Sequence, residues 1–114
     1  MSKVQGNKAE DFAAAWLQRR GLRVMARNWR CRFGELDLVL EDDGTIVIAE
    51  VRLRSSEKFG GAAASVDRRK QKKLIATAQL YLARLRSAPC RFDVVLMSDV
   101  EGGGIEWIRN AFTL

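Results

Sequence analysis

The stretch 34-GELDLVLEDDGTIVIAEVR-52 decides the fold of this chain, because it contains two strand-like segments joined by a turn signal. Apolar and branched side chains dominate residues 34–41 and 45–53, and Asp43 and Gly44 lie between them. An Asp-Gly pair at this position is typical of a type I′ turn, whose two central residues both need positive φ. The stretch therefore predicts a β-hairpin in which Asp42 faces Thr45.

The hairpin register brings two carboxylates together. Asp37 is expected directly opposite Glu50 on one face of the sheet, with Cβ atoms about 4.5–5.5 Å apart. Val39, Ile46 and Ile48 share that face, so desolvation adds to the repulsion between the carboxylates. A divalent cation such as Mg²⁺ or Mn²⁺ would relieve both costs. A solvated pair at the hairpin edge, or ion pairs with nearby arginines, would relieve them too, and spacing alone leaves these alternatives open.

Helix and strand patterns flank the hairpin on both sides. Residues 7–20 predict a helix with an apolar stripe, with Asn7 as its N-cap and Gly21 just past its end. Residues 53–65, rich in Gly, Ser and Ala, predict a loop, and residues 66–86 predict a second helix. Further strands are predicted at residues 22–28, 91–98 and 105–109. The order is αβββαβ plus an edge strand, an α/β fold in which two helices flank a mixed sheet.

Composition is that of an ordinary single globular domain. The chain has 114 residues, of which 47% are hydrophobic and 30% are charged. No apolar run approaches the length of a membrane span and no apolar signal segment is present, so no membrane partner is expected. Two cysteines, Cys31 and Cys90, predict reduced thiols in the cytoplasm.

The residue types that the chain lacks exclude several classes of catalysis, and its net charge favours one class of partner. The chain has no histidine, which excludes Ser-His-Asp and Cys-His catalysis within it. It has neither a GxxxxGKS/T loop nor a GxGxxG turn. Carboxylates and cations would have to perform any catalysis. Twenty Lys and Arg against fourteen Asp and Glu give a net charge of +6, which favours a polyanionic partner such as nucleic acid.

A set of short motifs extends over nearly the whole chain. It comprises Gly6, Ala9-Glu10, Asn28, Arg30, Gly34-Glu35-Leu36-Asp37-Leu38, Ala49-Glu50-Val51-Arg52, Gly60, Val66, Lys70, Ala78, Tyr81-Leu82, Arg91-Phe92-Asp93-Val94-Val95 and Asn110-Ala111-Phe112. Asp37, followed after twelve residues by Glu50-Val51-Arg52, resembles the PD-(D/E)xK nuclease signature with arginine in the lysine position. The whole set resembles the YraN family (uncharacterised protein family 0102), which is similar to archaeal Holliday-junction resolvases of that superfamily.

The resemblance implies a restriction-endonuclease-like αβββαβ core, with residues 1–114 forming a single nuclease-like domain that binds nucleic acid. DNA is favoured over RNA as the partner, but the sequence leaves the choice between them open. It implies Asp37 and Glu50 as ligands of Mg²⁺ or Mn²⁺, with the backbone carbonyl of Val51 beside them. It also implies Glu10, at the border of the first helix's apolar stripe, as a further metal ligand. A two-fold homodimer is the default arrangement for resolvase-like proteins that cut two strands.

Arg52 departs from the superfamily pattern and leaves catalysis open. A guanidinium stays protonated, so Arg52 cannot act as a base, although it could stabilise charge on phosphate oxygens. The hairpin register also places Arg52 opposite Glu35, and it could instead fill the site as a salt bridge to Glu35 or Asp37. Lys70 lies on the side of the second helix that packs on the sheet, and it is the candidate replacement for the superfamily lysine.

Other cations could extend a phosphate-binding surface beside the carboxylates, namely Arg30, Arg54, Arg69 and Lys73. Three functions therefore stay open. The first is a Mg²⁺- or Mn²⁺-dependent endonuclease acting on structured or branched DNA. The second is a catalytically inactive nucleic-acid-binding module. The third is a protein-interaction domain that uses the hairpin face and the edge strand around Trp107.

Overall fold

The computed structural model describes residues 3–54, 66–85 and 88–113, and within them it contains two helices and five strands. The predicted order of elements is confirmed. The loop predicted at residues 53–65 lies outside the described residues from residue 55 onward. In chain order the elements are α1 (Lys3–Gln18), β1 (Arg23–Cys31), β2 (Gly34–Asp42), β3 (Thr45–Leu53), α2 (Arg68–Leu82), β4 (Cys90–Met97) and β5 (Glu106–Phe112).

The predicted hairpin of β2 and β3 is confirmed together with its register. Asp42 pairs with Thr45, and the ladder continues from there to Leu38 and Ala49. The two turn residues both have positive φ, 49° at Asp43 and 89° at Gly44, as a type I′ turn requires.

The five strands form one mixed sheet in the order β1-β2-β3-β4-β5. Only β3 and β4 are parallel neighbours, and the chain returns between them through α2, as parallel pairing requires. α1 packs on one face against Leu38 and Val47, whereas α2 packs on the other face against Val39 and Ile48. This is the predicted restriction-endonuclease-like α/β core. Neither helix is long and apolar enough to cross a membrane.

The start of α1 was predicted wrongly. The helix begins at Lys3, so Asn7 lies inside it and is not its N-cap. The residues before Asn7 lack the repeated apolar spacing that marks the rest of the helix. The helix ends at Gln18, two residues before the predicted end, and a turn follows up to Gly21, where φ is 95° and the N–H donates to the Gln18 carbonyl at 3.0 Å.

β1 and β5 both extend three residues beyond the predicted ends, to Cys31 and Phe112. Each strand contains an asparagine with positive φ, 50° at Asn28 and 55° at Asn110. Asparagine tolerates this conformation better than most residues. A single left-handed residue interrupts the alternation of side chains, and the sequence pattern therefore suggests a strand end where the strand continues.

The sheet opens between β2 and β3. Their ladder of paired residues ends at Leu38 and Ala49. Beyond that point β2 pairs with β1 as far as Gly34, and β3 pairs with β4 as far as Leu53. We call the place where the two strands part the fork. The expected pairing of Glu35 with Arg52 is wrong, because the ladder stops before reaching it and Glu35 faces Arg30 of β1 instead.

Candidate functional site

The fork brings Asp37 and Glu50 together. The backbone N–H of Asp37 donates to the Glu50 carboxylate at 3.2 Å, and the N–H of Val51 donates to the Asp37 carboxylate at 3.0 Å. These backbone donors would otherwise face the neighbouring strand, and each needs a partner once it is shielded from water. The two carboxylates therefore satisfy the opened ladder as well as forming the site.

Arg52 closes the carboxylate pair. Its guanidinium donates to Asp37 Oδ2 at 3.3 Å, to Glu50 Oε1 at 3.1 Å and to the Val51 carbonyl at 3.0 Å. The side chains of Arg52, Asp37 and Glu50 are only 18%, 16% and 4% exposed. Of the two roles considered for Arg52, its geometry matches the salt bridge that fills the site.

Burial dominates the electrostatics of this pair. It raises the pKa of Asp37, although the Val51 N–H and the charge of Arg52 both act to lower it. Burial and then the charge of Asp37 raise the pKa of Glu50 to about 8, against the lowering effect of Arg52. One guanidinium thus does not offset two buried carboxylates, and the pair favours a proton or a second cation.

Glu10 reaches the same site from α1. Its side chain is buried, and burial followed by the charge of Asp37 raises its pKa, while a hydrogen bond with Asn28 lowers it. Within the described part of the chain, Glu10 Oε1 is a buried oxygen without a hydrogen-bond partner. Asn28 was among the motif residues but received no role from the sequence. It lies opposite Asp37 between the pairs Arg27–Leu38 and Trp29–Leu36.

A pocket of about 270 Å³ opens beside the carboxylates, on the α2 side of the sheet. Lys70 and Lys73 both line it, and the charge of Lys70 lowers the pKa of Asp37. Lys73 is exposed, as expected for a side chain that would meet phosphates. The complete lining is Phe33, Gly34, Glu35, Asp37, Glu50, Arg52, Lys70, Lys73 and Leu74.

The remaining predicted phosphate contacts are placed less uniformly. Arg30 pairs with Glu35, a pocket residue, at 3.3 Å. Arg69 is exposed on α2 and does not line the pocket. Arg54 donates to the Gly104 carbonyl and to Glu106 at 3.3 Å, and so connects the end of β3 to the start of β5. The structure therefore groups Lys73 and the Arg30 pair with the site, but not Arg54.

Comparison with known proteins identifies the family. The model of the uncharacterised protein family UPF0102 matches residues 9–97. The chain belongs to UPF0102. A UPF0102 protein of Methylobacillus flagellatus is 54% identical over 111 residues, covering 97% of this chain and 98% of the relative. Another from Nitrosomonas europaea is 54% identical over 109 residues, covering 95% and 92%. A third, from Pseudomonas aeruginosa, is 46% identical over 117 residues, covering 97% and 94%.

The donor set of this UPF0102 chain suits a hard cation in chemistry, because Mg²⁺ and Mn²⁺ prefer carboxylate and carbonyl oxygens. Asp37, Glu50, the Val51 carbonyl and the unpartnered oxygen of Glu10 are such donors. Within residues 3–54, 66–85 and 88–113, however, no three acidic or cysteine side chains converge as a metal site. Arg52 contacts three of these groups itself. The donors fit a divalent cation on the condition that Arg52 moves away.

A second carboxylate network of this UPF0102 chain lies at the other edge of the sheet and was not recognised from the sequence. Asp93 is fully buried and accepts from Arg91 Nε at 3.1 Å, from Trp107 Nε1 at 2.9 Å and from the Asn110 N–H at 2.9 Å. Trp107 also packs edge-on against Trp16, with ring centroids 5.9 Å apart. The Trp107 indole is half-buried and makes these contacts within the fold, and docking of a partner by the edge strand around it stays a prediction. The sequence signal was a lone aspartate two residues after an arginine in an apolar strand.

Proposed function

We propose that this chain binds nucleic acid, DNA rather than RNA, through the pocket beside the fork and the basic first turns of α2. The observation that supports this most is the charge at the start of α2. Residues 68–73 contain five cations in six positions, and the first turn of the helix has no acidic residue. The positive end of the helix dipole disfavours cations there, and the carboxylate of the N-cap residue Asp67, which accepts from the Lys70 N–H at 2.8 Å, offsets this only in part. A bound phosphate would turn this unfavourable arrangement into a favourable one.

Several arginines elsewhere in the fold differ from this cluster in having carboxylate partners. Arg23, Arg27 and Arg91 each contact a carboxylate within 4 Å. Among the described residues, none of the five cations at positions 68–73 is in an ion pair. Five cations without an ion pair among the described residues thus lie together at the start of α2, and two of them, Lys70 and Lys73, line the pocket, where they would meet phosphate oxygens.

In the arrangement seen here Arg52 occupies one carboxylate oxygen of Asp37 and one of Glu50, together with the Val51 carbonyl. We therefore propose binding without turnover as the function of the closed site. The second candidate is a Mg²⁺- or Mn²⁺-dependent endonuclease, favoured by the unpartnered oxygen of Glu10 beside the charge of Asp37. Glu10, Asp37, Glu50 and the Val51 carbonyl would hold the ion, which supplies Lewis-acid activation when bound. Arg52 or Lys70 would offset charge on the transferring phosphoryl group.

Fluorescence anisotropy with labelled duplex, forked and four-way DNA tests the binding function between about 50 and 200 mM salt. We expect affinity to fall steeply as the salt concentration rises. In the variant carrying Lys70→Ala and Lys73→Ala, the slope of log affinity against log salt concentration should be smaller by roughly two, about one for each phosphate contact removed. Arg23→Ala is the matched control, since Arg23 is 65% exposed and pairs with Glu41. An affinity that does not change with salt, or that is the same in the Lys70/Lys73 variant as in Arg23→Ala, would favour a protein partner instead.

A cleavage assay separates the two candidates. The same DNA substrates are incubated with Mn²⁺ and the wild-type chain, with Asp37→Ala as the control. Cleavage that requires Asp37 would establish the endonuclease. Salt-dependent binding without cleavage is the result expected for the binding module.

A further inference from the structure

Phe33 stands at the mouth of the pocket. Arg32 and Phe33 form the two-residue turn between β1 and β2, next to the pair of Cys31 with Gly34. The Phe33 side chain is 41% exposed, the largest exposure among the large hydrophobic residues that the structure describes. It lines the same pocket as Lys70 and Lys73.

The fold does not account for a phenylalanine at this turn. Tight turns favour Gly, Asn, Asp, Ser and Pro, whose backbone or side chain suits the sharp reversal. Phe33 belongs to neither of the two core clusters and to none of the partly buried groups packed against them. The guanidinium of Arg32 lies 4.8 Å from the ring centroid. An exposed ring backed by a cation is therefore available beside a pocket that Lys70 and Lys73 both line.

We propose that Phe33 stacks on an unpaired nucleobase while Lys70 and Lys73 hold an adjacent phosphate. The site then selects nucleotides outside a continuous duplex. This inference rests on the proposed nucleic-acid binding and names the class of substrate. Single-strand-binding sites combine a basic groove with aromatic rings, because every base offers a flat face while the phosphates supply charge. A base that remains paired inside a duplex cannot present that face.

The test measures affinity for a DNA duplex, for the same duplex with a thymine bulge, and for single-stranded oligo-dT. Oligo-U in a parallel arm distinguishes RNA from DNA. We expect Phe33→Ala to weaken bulge and single-strand binding by about 5- to 150-fold, the range reported for loss of one base–aromatic stack. Duplex affinity should stay within about twofold of the parent value. Phe33→Trp should retain the preference, because the indole also stacks.

The matched control is Leu80→Ala. Leu80 is 38% exposed on α2 and is not among the pocket residues, so its loss should change no affinity. Phe33 lies outside the core clusters, and thermal unfolding should show that both variants fold as the parent does. Salt-dependent binding by the parent with an equal effect of Phe33→Ala on all probes would overturn the stacking role alone. Absence of binding to any probe by the parent would overturn the proposed function itself.

Discussion

Arg52 donates from its guanidinium to the Asp37 carboxylate at 3.3 Å, across the gap where β2 and β3 part. The same guanidinium contacts Glu50 and the Val51 carbonyl. Those are three of the four oxygen-bearing groups that a divalent cation would use. In the proposed metal site, Arg52 and the cation would therefore compete for the same oxygens.

We expect Arg52→Ala to lower the free energy of unfolding more at pH 8.5 than at pH 5. Removing the guanidinium leaves the buried carboxylates unpaired, which costs about 3–5 kcal/mol when they are ionised. Burial raises the pKa of Glu50 to about 8. A raised folded-state pKa gives stability that is complete at low pH and is lost as the pH rises through that pKa. Without Arg52 the pKa rises further, so the variant loses more. Urea unfolding at both pH values measures the difference.

The control for this comparison is Arg23→Ala, whose exposed ion pair with Glu41 should contribute less than about 1 kcal/mol at either pH. Equal losses for Arg52→Ala at pH 5 and pH 8.5 would contradict the assignment of Arg52 as the counter-charge of the pair.

Arg52→Gln should bind Mn²⁺ at least about tenfold more tightly than the parent chain, because glutamine brings no charge that competes for the same oxygens. Isothermal titration calorimetry measures this without any substrate. The double variant that adds Asp37→Asn should lose the gain. Unchanged Mn²⁺ affinity in Arg52→Gln would show that Arg52 does not guard a cation site.

Arg52→Lys should gain Mn²⁺-dependent cleavage of forked or four-way DNA relative to the parent. Lysine is a point charge without the planar fork that holds several acceptors at once, so it leaves the carboxylates more accessible. The measurement is a time course on a gel, with Asp37→Ala introduced into the same background as the control. Undetectable cleavage by Arg52→Lys would remove the endonuclease candidate and leave the binding function.

Glu10→Gln should raise the free energy of unfolding at pH 8 by roughly 1 kcal/mol and leave it unchanged well below the carboxylate range. Burial and the charge of Asp37 raise the pKa of Glu10, so its ionised form destabilises the fold as the pH rises. Asp11→Asn, at an exposed neighbouring position with its side chain 65% exposed, is the control. A destabilised Glu10→Gln at pH 8 would contradict this account.

Asp93→Ala should destabilise the chain by about 3–5 kcal/mol, because it leaves Arg91, the Trp107 indole and the Asn110 N–H without their buried acceptor. Thermal or urea unfolding measures the loss. Asp42→Ala removes only the partially exposed partner of Arg91 and should cost less than about 1 kcal/mol. Similar losses for the two variants would show that Asp93 does not anchor the β4–β5 edge.

The hairpin and its register could be predicted because they depend on local chemistry. Asp43 and Gly44 specify the turn by their backbone preferences, and the turn then sets every facing pair up to Leu38 and Ala49. Asp37 and Glu50 are the next residues of the two strands, just beyond the end of the ladder. The pairing of Glu35 with Arg52 failed because a ladder continues only while both strands lack better partners. β1 offers Glu35 such a partner in Arg30.

The parts of the site that come from distant elements were harder to predict. The role of Asn28 depends on its positive φ and on a side-chain hydrogen bond with Glu10 of α1, which lies eighteen positions away in the sequence. In the sequence, Asp93 is one polar residue in an apolar strand. Its network could not be predicted because two of its three hydrogen-bond donors, Trp107 and Asn110, lie on β5 rather than on its own strand. The pocket position of Phe33 depends on α2 folding back over a turn that precedes it by some thirty-five residues.

The Asp43–Gly44 turn has a consequence for how this site can change over evolutionary time. Asp43 lies six residues along β2 from Asp37, roughly 20 Å at about 3.3 Å per residue. One residue inserted into that remote turn would shift the register and carry Asp37 and Glu50 to opposite faces, without replacing either carboxylate. The length of the turn therefore sets which residues of β2 and β3 face each other at the site. Substitutions near the site can accumulate one at a time during evolution. A change of loop length at the Asp43–Gly44 turn would instead abolish the carboxylate site in a single step.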